Sequence, residues 1–103
     1  MIANSLRTKI NEIVSLVDYD KVILFGSRAR GDYTSDSDFD LLVILKSVLT
    51  IHEKMDISSQ LRKQFATKMM DADVLVKDCK DINYLKNKPG SVVRNALIEG
   101  VLL

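Results

Sequence analysis

Three short apolar runs alternate with longer segments of helical periodicity, and this alternation most constrains the fold. Residues 21–25, 39–45 and 73–76 are rich in Val, Ile and Leu, and their short length and turn-forming neighbours are typical of buried strands. Residues 5–17 carry apolar side chains with the spacing of an amphipathic helix, which Asn4 or Ser5 could cap. The alternation predicts an α/β (α+β) chain with one sheet rather than a helix bundle.

The segment after the second strand begins with a helix-start pattern. Thr50 and Glu53 have the spacing of a capping box, which predicts a helix from residue 50 to about residue 69. The side chains predicted to face inward from this helix are Ile51, Met55, Leu61 and Phe65.

The last quarter of the chain contains weaker signals. Asp81 could cap a short helical turn, and Ser91 could cap a last helix that stops at Gly100. Residues 101–103 are predicted to be a short edge strand.

Length and charge limit the class of protein. The chain has 103 residues, so a single domain covering residues 1–103 is expected. A formal net charge of +1 provides no global field for nucleic acid or an anionic membrane, so neither is an expected partner. One cysteine, the absence of a long apolar run and the absence of a signal-peptide core indicate a soluble cytoplasmic protein.

The turn after the first predicted strand suits phosphate binding. That strand ends in Gly26-Ser27, and residues 27–30 could form a short helix. Gly26 permits a tight turn and close approach of a ligand, while backbone N–H groups and the Ser27 hydroxyl can bind phosphate oxygens. Arg28 and Arg30 add positive charge, although both could instead pair with nearby Asp residues.

A pair of carboxylates follows after a spacer of ten residues. Side chains alternate along a strand, so Asp38 and Asp40, which are two residues apart, point to the same side. Their Cα atoms are expected to lie roughly 6–7 Å apart. Such carboxylates can hold two Mg²⁺ ions for an in-line phosphoryl displacement. Asp73 opens the third strand and could supply another carboxylate, with Asp71 as the alternative.

These residues resemble a known family. Gly26-Ser27, the spacer and Asp38-Phe39-Asp40 are similar to the signature of the DNA polymerase beta-like nucleotidyltransferase superfamily. The fuller strings at residues 25–31 and 35–40 resemble its minimal nucleotidyltransferase branch, and residues 98–102 resemble the ending of that branch. The resemblance implies a small mixed sheet of three or four strands flanked by helices.

The resemblance also implies roles and partners. Ser27 would contact the triphosphate, for which the residues themselves already suggest Gly26, Arg28 and Arg30 as further ligands. Asp38 and Asp40 would hold both Mg²⁺ ions, and Asp73 would complete the catalytic triad by binding one ion and helping to deprotonate the acceptor hydroxyl. Many members of that branch resemble antitoxins that transfer AMP from ATP to a tyrosine of a HEPN toxin. Two alternatives stay open, which are nucleotidyl transfer to a small hydroxylated molecule, as in aminoglycoside nucleotidyltransferases, and a non-catalytic toxin-binding subunit.

Overall fold

The computed structural model describes residues 2–103, and within them it contains helices on both sides of a sheet. In that part of the chain, no helix is both long enough and apolar enough to cross a bilayer. The helices are α1 (Asn4–Val14), α2 (Ser27–Arg30), α3 (Ile51–Thr67), α4 (Cys79–Leu85) and α5 (Val92–Glu99), and the strands are β1 (Tyr19–Phe25), β2 (Phe39–Leu45), β3 (Ala72–Asp78) and β4 (Val101–Leu102).

The four strands form one mixed sheet in the order β3-β2-β1-β4. β1 is antiparallel to both β2 and β4, whereas β2 and β3 are parallel. A parallel pair requires a long crossover connection, and α3 provides it. The predicted fold, a small mixed sheet of three or four strands flanked by helices, is confirmed.

The central strand β2 is covered on both faces. Leu41, Val43 and Leu45 pack in the larger core cluster, which contains side chains from α1 and α3. Leu42 and Ile44 point the other way into a smaller cluster against α5. Burial on both faces explains why this segment is a continuous apolar run instead of an alternating one.

The same alternation sets the side of the sheet on which the acidic residues emerge. Asp40 lies two residues before Leu42, and Asp73 lies two residues before Leu75, which also packs in the smaller cluster. Side chains two residues apart on a strand share a face. Asp40 and Asp73 therefore lie on the face covered by α5, at the end of the sheet where the smaller core stops.

The first helix and strand differ from their predicted bounds. α1 ends at Val14, and its N-cap Ala3 makes no side-chain hydrogen bond, so capping by Asn4 or Ser5 is wrong. β1 begins at Tyr19, two residues before the predicted start, because Tyr19 pairs with Leu45 of β2. Strand pairing thus overrides the polar local sequence, and a register shift between Tyr19 and Lys21 accommodates the change.

Half of the predicted inward face of α3 is wrong. Leu61 and Phe65 are fully buried as predicted, but Ile51 and Met55 are 68% and 61% exposed. Both lie along the outer side of β3, and β3 is an edge strand with no further element beyond it in residues 2–103. The capping box is confirmed, since the Glu53 N–H donates to Thr50 Oγ1 at 3.2 Å.

Helix α4 is capped by a different residue from the one predicted. Asp78, not Asp81, is the N-cap, and the two carboxylates form a reciprocal capping box. Asp78 is only 1% exposed, and its Oδ2 also accepts from Lys54 Nζ at 3.2 Å and from the Leu49 N–H at 3.3 Å. These hydrogen bonds tie α4 to the start of α3.

The end of the chain agrees with its prediction. The Ser91 hydroxyl accepts from the Arg94 N–H at 3.3 Å at the start of α5, which ends at Glu99 before Gly100. The chain then pairs with β1 as the short edge strand β4.

Candidate active site

Gly26 makes the turn between β1 and α2. Its φ of 72° lies in the left-handed region, which favours glycine. A Cβ atom added to Gly26 would collide with Oδ2 of Asp40 and would lie 3.1 Å from its Cγ. The position therefore requires glycine for two reasons, and the Asp40 carboxylate lies directly against the backbone of the turn.

The sheet register brings Asp40 and Asp73 together. The two residues are Cα partners in the parallel β2–β3 pair, and neighbouring strands are about 4.8 Å apart. Asp38 lies just before β2, two residues from Asp40. The sequence-predicted carboxylates thus gather at one end of the sheet, beside the Gly26 turn.

The clustering of carboxylates affects the pKa of Asp40. Burial raises the pKa of Asp40, and the negative charges of Asp73 and Asp38 raise it further. Arg30 acts in the opposite direction. Carboxylates that repel one another in this way are suited to a cation, which would relieve the repulsion.

The structure distinguishes the environments of Asp71 and Asp73. Asp71 precedes β3, and its backbone carbonyl accepts from the Phe39 N–H at 2.9 Å. Asp73 lies within β3 opposite Asp40, and its exposed carboxylate faces Arg62 Nη2 at 3.4 Å. Geometry therefore favours Asp73 as the third carboxylate, and its role as a ligand stays a prediction.

The two arginines that follow Ser27 have different surroundings. Arg30 contacts Asp32 through Nε and Glu99 through Nη1, both at 3.3 Å. The guanidinium of Arg28 lies between the rings of Tyr33 and Phe39, 4.3 Å from each centroid.

Arg28 also donates to the backbone of the loop that precedes β2. Its Nη2 lies 3.0 Å from the Ser37 carbonyl oxygen, and its Nε lies 3.2 Å from the same atom. The side chain thus supports the loop that leads to Asp38. Its predicted contact with phosphate stays a prediction.

Glu99 is a residue of the site that sequence reasoning missed. Its Oε1 accepts from the Gly26 N–H at 3.3 Å and faces Arg30, and its charge contributes to the raised pKa of Asp40. The only sequence signal was the resemblance of residues 98–102 to a family ending. No local pattern connects Glu99 with a turn 73 positions earlier.

The fit of a metal ion can be judged from the donor set. Among residues 2–103, no group of three or more His, Cys, Asp or Glu side chains has the spacing of a ready-made metal cage. Mg²⁺ is usually held by one or two carboxylates together with substrate phosphates, and rarely by such a cage. The self-repelling cluster around Asp40 fits an ion that arrives with a nucleotide.

Comparison with known sequences points to one family. A family model described as polymerase beta, nucleotidyltransferase matches residues 8–103. An inferred protein adenylyltransferase of Methanocaldococcus jannaschii is 55% identical over 38 residues. That alignment covers 37% of this chain and 38% of the relative, so the match spans well under half of the length of either protein.

Solved structures share the fold. An inferred nucleotidyltransferase from Sulfolobus solfataricus matches with a TM-score of 0.61 and 26% identity, over 95% of this chain and 76% of that one. A chain from the complex of a tri-AMPylated HEPN toxin with an MNT antitoxin of Shewanella oneidensis matches with a TM-score of 0.54 and 18% identity. That alignment covers 93% of this chain and 69% of the other, and at this identity it shows the fold alone.

Proposed function

Because the chain belongs to the polymerase beta nucleotidyltransferase family, we propose that it transfers AMP from ATP to a hydroxyl group of a protein partner. The observation that carries the proposal is the contact of the Asp40 carboxylate with the Gly26 turn, beside Asp73. This contact supports the proposal because candidate phosphate donors and candidate metal ligands then lie within one small site.

In this proposal, different residues of the site bind the triphosphate and hold Mg²⁺. The Gly26 N–H, the Ser27 hydroxyl and the Arg30 guanidinium bind oxygens of the triphosphate and orient it. Asp38, Asp40 and Asp73 would hold Mg²⁺, which when bound neutralises charge on the phosphates. Placing these groups in advance lowers the barrier because little reorganisation is needed during reaction.

The reaction itself is an in-line displacement. The oxygen of the acceptor hydroxyl forms a bond to the α-phosphorus, while the bond from that phosphorus to the bridging oxygen breaks and pyrophosphate leaves. Asp73, whose side chain is 68% exposed, takes the proton of the hydroxyl.

The acceptor is assigned from the relatives. The Methanocaldococcus jannaschii relative is named for transfer to protein, and the Shewanella oneidensis complex contains an AMPylated HEPN toxin. These names support our proposal that the acceptor is a HEPN-type toxin and that this chain is its antitoxin. The tyrosine as acceptor residue is implied by the resemblance to the minimal nucleotidyltransferase branch.

The direct test uses ATP labelled at the α-phosphate, Mg²⁺ and a HEPN-type protein encoded beside this chain. Label on a tyrosine of that protein is expected from wild type. The label is expected to be lost with Asp40→Asn and retained with Asp56→Asn, a matched control on the exposed side of α3. No label with wild type, or equal label with Asp40→Asn, would contradict the proposal.

Two other outcomes identify the alternative functions. Label on a small hydroxylated molecule but not on protein would indicate an aminoglycoside-type transferase. Neutralisation of the toxin by an Asp38→Asn, Asp40→Asn double variant as fully as by wild type would indicate a non-catalytic binding subunit.

A further inference from the structure

Glu99, the last residue of α5, places a carboxylate against the Gly26 turn. Its Oε1 lies 3.3 Å from the Gly26 nitrogen and 3.3 Å from Arg30 Nη1. Carboxylate and phosphate oxygens are recognised by the same kind of donor, a backbone N–H or a guanidinium. Glu99 therefore uses two donors that could hold a phosphate oxygen.

Glu99 lies near both positive and negative side chains. Its side chain is 34% exposed, and its negative charge acts on Asp40, which already lies beside Asp38 and Asp73. The contact with Arg30 offsets part of this repulsion, but Arg30 also forms an ion pair with Asp32. A carboxylate held under such opposing forces can be displaced by a stronger anion.

The backbone that carries Glu99 is fixed, so only its side chain needs to move. Gly100 packs so closely that an added Cβ would collide with Ala96 O and Ile23 Cγ2. The Gly100 N–H donates to Ala96 O at 2.8 Å, and the next residue, Val101, pairs with β1. Rotation of the Glu99 side chain would therefore clear the turn without movement of α5.

From these contacts we propose that Glu99 occupies the place of a triphosphate oxygen in the nucleotide-free protein and thereby sets the nucleotide affinity of the site. The inference rests on the proposed function, because it takes Gly26 and Arg30 as triphosphate donors. A nucleoside triphosphate must displace the carboxylate and bind near its charge. Glu99 thus weakens nucleotide binding, and it sets affinity without being a catalytic residue.

Glu99→Gln is the matched substitution, since it keeps the size and the accepting oxygen but removes the charge. Loss of one charge near a bound polyphosphate is expected to tighten binding by about fivefold. The dissociation constants of ATP and of inorganic tripolyphosphate should both fall, with and without Mg²⁺. In the transfer assay the fall in KM for ATP should exceed any change in kcat, since Glu99 contacts the donors of the triphosphate and not the reacting atoms.

Two variants control the measurement. Glu12→Gln removes the same charge from the exposed side of α1 and should leave both dissociation constants unchanged. Glu99→Ala should also tighten binding, which a purely structural role for the side chain would not produce. Thermal unfolding of each variant checks that it is folded.

The outcomes separate this inference from the proposed function. Tighter binding by Glu99→Gln and Glu99→Ala, with Glu12→Gln equal to wild type, supports the inference. Binding of ATP by wild type with equal or weaker binding by Glu99→Gln overturns the inference alone, and weaker binding would indicate that Glu99 contributes to ligand binding. Failure of wild type and variants alike to bind ATP with Mg²⁺ overturns both proposals.

Discussion

At Asp40, burial and the charges of three carboxylates, Asp73, Asp38 and Glu99, all raise the pKa of one ionisable group. The folded protein holds the Asp40 proton more tightly than the unfolded chain, so ionisation of Asp40 opposes folding. Its contribution to stability is present below the unfolded pKa and is lost as pH rises through the raised folded pKa. A residue that we propose as a cation ligand therefore destabilises the metal-free protein at neutral pH.

The first prediction follows from the destabilising effect of ionised Asp40. Asp40→Asn should raise the free energy of unfolding of the metal-free protein at pH 7 by about 0.5–1 kcal/mol, after allowance for solvent screening. The melting temperature should rise by about 2–6 °C, and nucleotidyl transfer should be lost. Thermal unfolding at pH 4 and at pH 7 tests the sign, since the gain should shrink at the lower pH.

Asp56→Asn is the control for this prediction, because Asp56 is exposed on α3. It should change stability by less than about 0.5 kcal/mol. A lower melting temperature for Asp40→Asn at pH 7 would contradict the electrostatic account of the site.

Gly26 supports a second prediction at the residue scale. Gly26→Ala places a Cβ against the Asp40 carboxylate at a backbone φ of 72°, so both stability and transfer activity should fall. Gly90→Ala is a matched control, because Gly90 has a φ of 80° but open space around its Cα. Each variant should lose about 1–2 kcal/mol of stability from the left-handed backbone alone.

The two alanine variants should differ in activity. Gly26→Ala should lose transfer by tenfold or more, on the order of the cost of misplacing a group at a reacting centre. Gly90→Ala should keep wild-type activity below its melting temperature. Equal activity of the two variants would mean that the contact between Gly26 and Asp40 is unimportant for the site.

At the scale of elements, the buried hydrogen bonds of Asp78 join α4, α3 and the loop before α3. Burial disfavours the charged form of Asp78, but hydrogen bonds from the Asp81 N–H and the Lys54 ammonium outweigh it and hold the pKa of Asp78 below its ordinary range. A carboxylate with a lowered pKa stabilises the fold above its unfolded pKa, and this stability is lost as pH falls through the folded pKa. This network thus links α4, the start of α3 and the loop before it.

The third prediction concerns this network. Asp78→Ala should lower the free energy of unfolding by about 3–5 kcal/mol, because it leaves Lys54 without one of its partners and removes a helix cap. Ser91→Ala removes only a cap and should cost about 1 kcal/mol. Denaturant unfolding at pH 7 gives both values, and a loss for Asp78→Ala no larger than for Ser91→Ala would contradict the assignment.

Helix α3 shows which elements could be predicted and which could not. Its start at Thr50 depends on local capping chemistry, so the sequence predicts it well. Ile51 and Met55 are exposed because β3 lies at the edge of the sheet. The spacing of apolar residues within α3 cannot predict the position of β3 in the sheet. The early start of β1 at Tyr19 has the same origin, since it depends on pairing with Leu45.

The fourth prediction tests that difference within α3. Met55→Ser should change stability by less than about 0.5 kcal/mol, since 61% of the side chain is exposed. Leu61→Ala should cost about 2–5 kcal/mol, because Leu61 is fully buried in the larger core cluster. Urea unfolding of the two variants measures both changes. Equal losses in the free energy of unfolding would contradict the exposed position of Met55.

At the scale of the whole molecule, the candidate site combines a local and a long-range part. The Gly26-Ser27 turn and the Asp38–Asp40 pair are close in sequence, so their spacing was enough to predict them. The pairing of Asp40 with Asp73 needed the parallel register, and sequence left Asp71 as an alternative. Glu99 reaches the turn only because α5 packs on the same face of the sheet as Asp40, and no local signal shows this.

The central claim is that the Gly26 turn and the carboxylates around Asp40 form one site for a nucleotide with Mg²⁺. The most direct measurement is the melting temperature with a non-hydrolysable ATP analogue and Mg²⁺, because a ligand that binds only the folded state stabilises it. At a ligand concentration about 100 times the dissociation constant, wild type and Asp56→Asn should gain roughly 2.7 kcal/mol, while Asp40→Asn should gain far less. No gain in wild type, or an equal gain in Asp40→Asn, would contradict the claim.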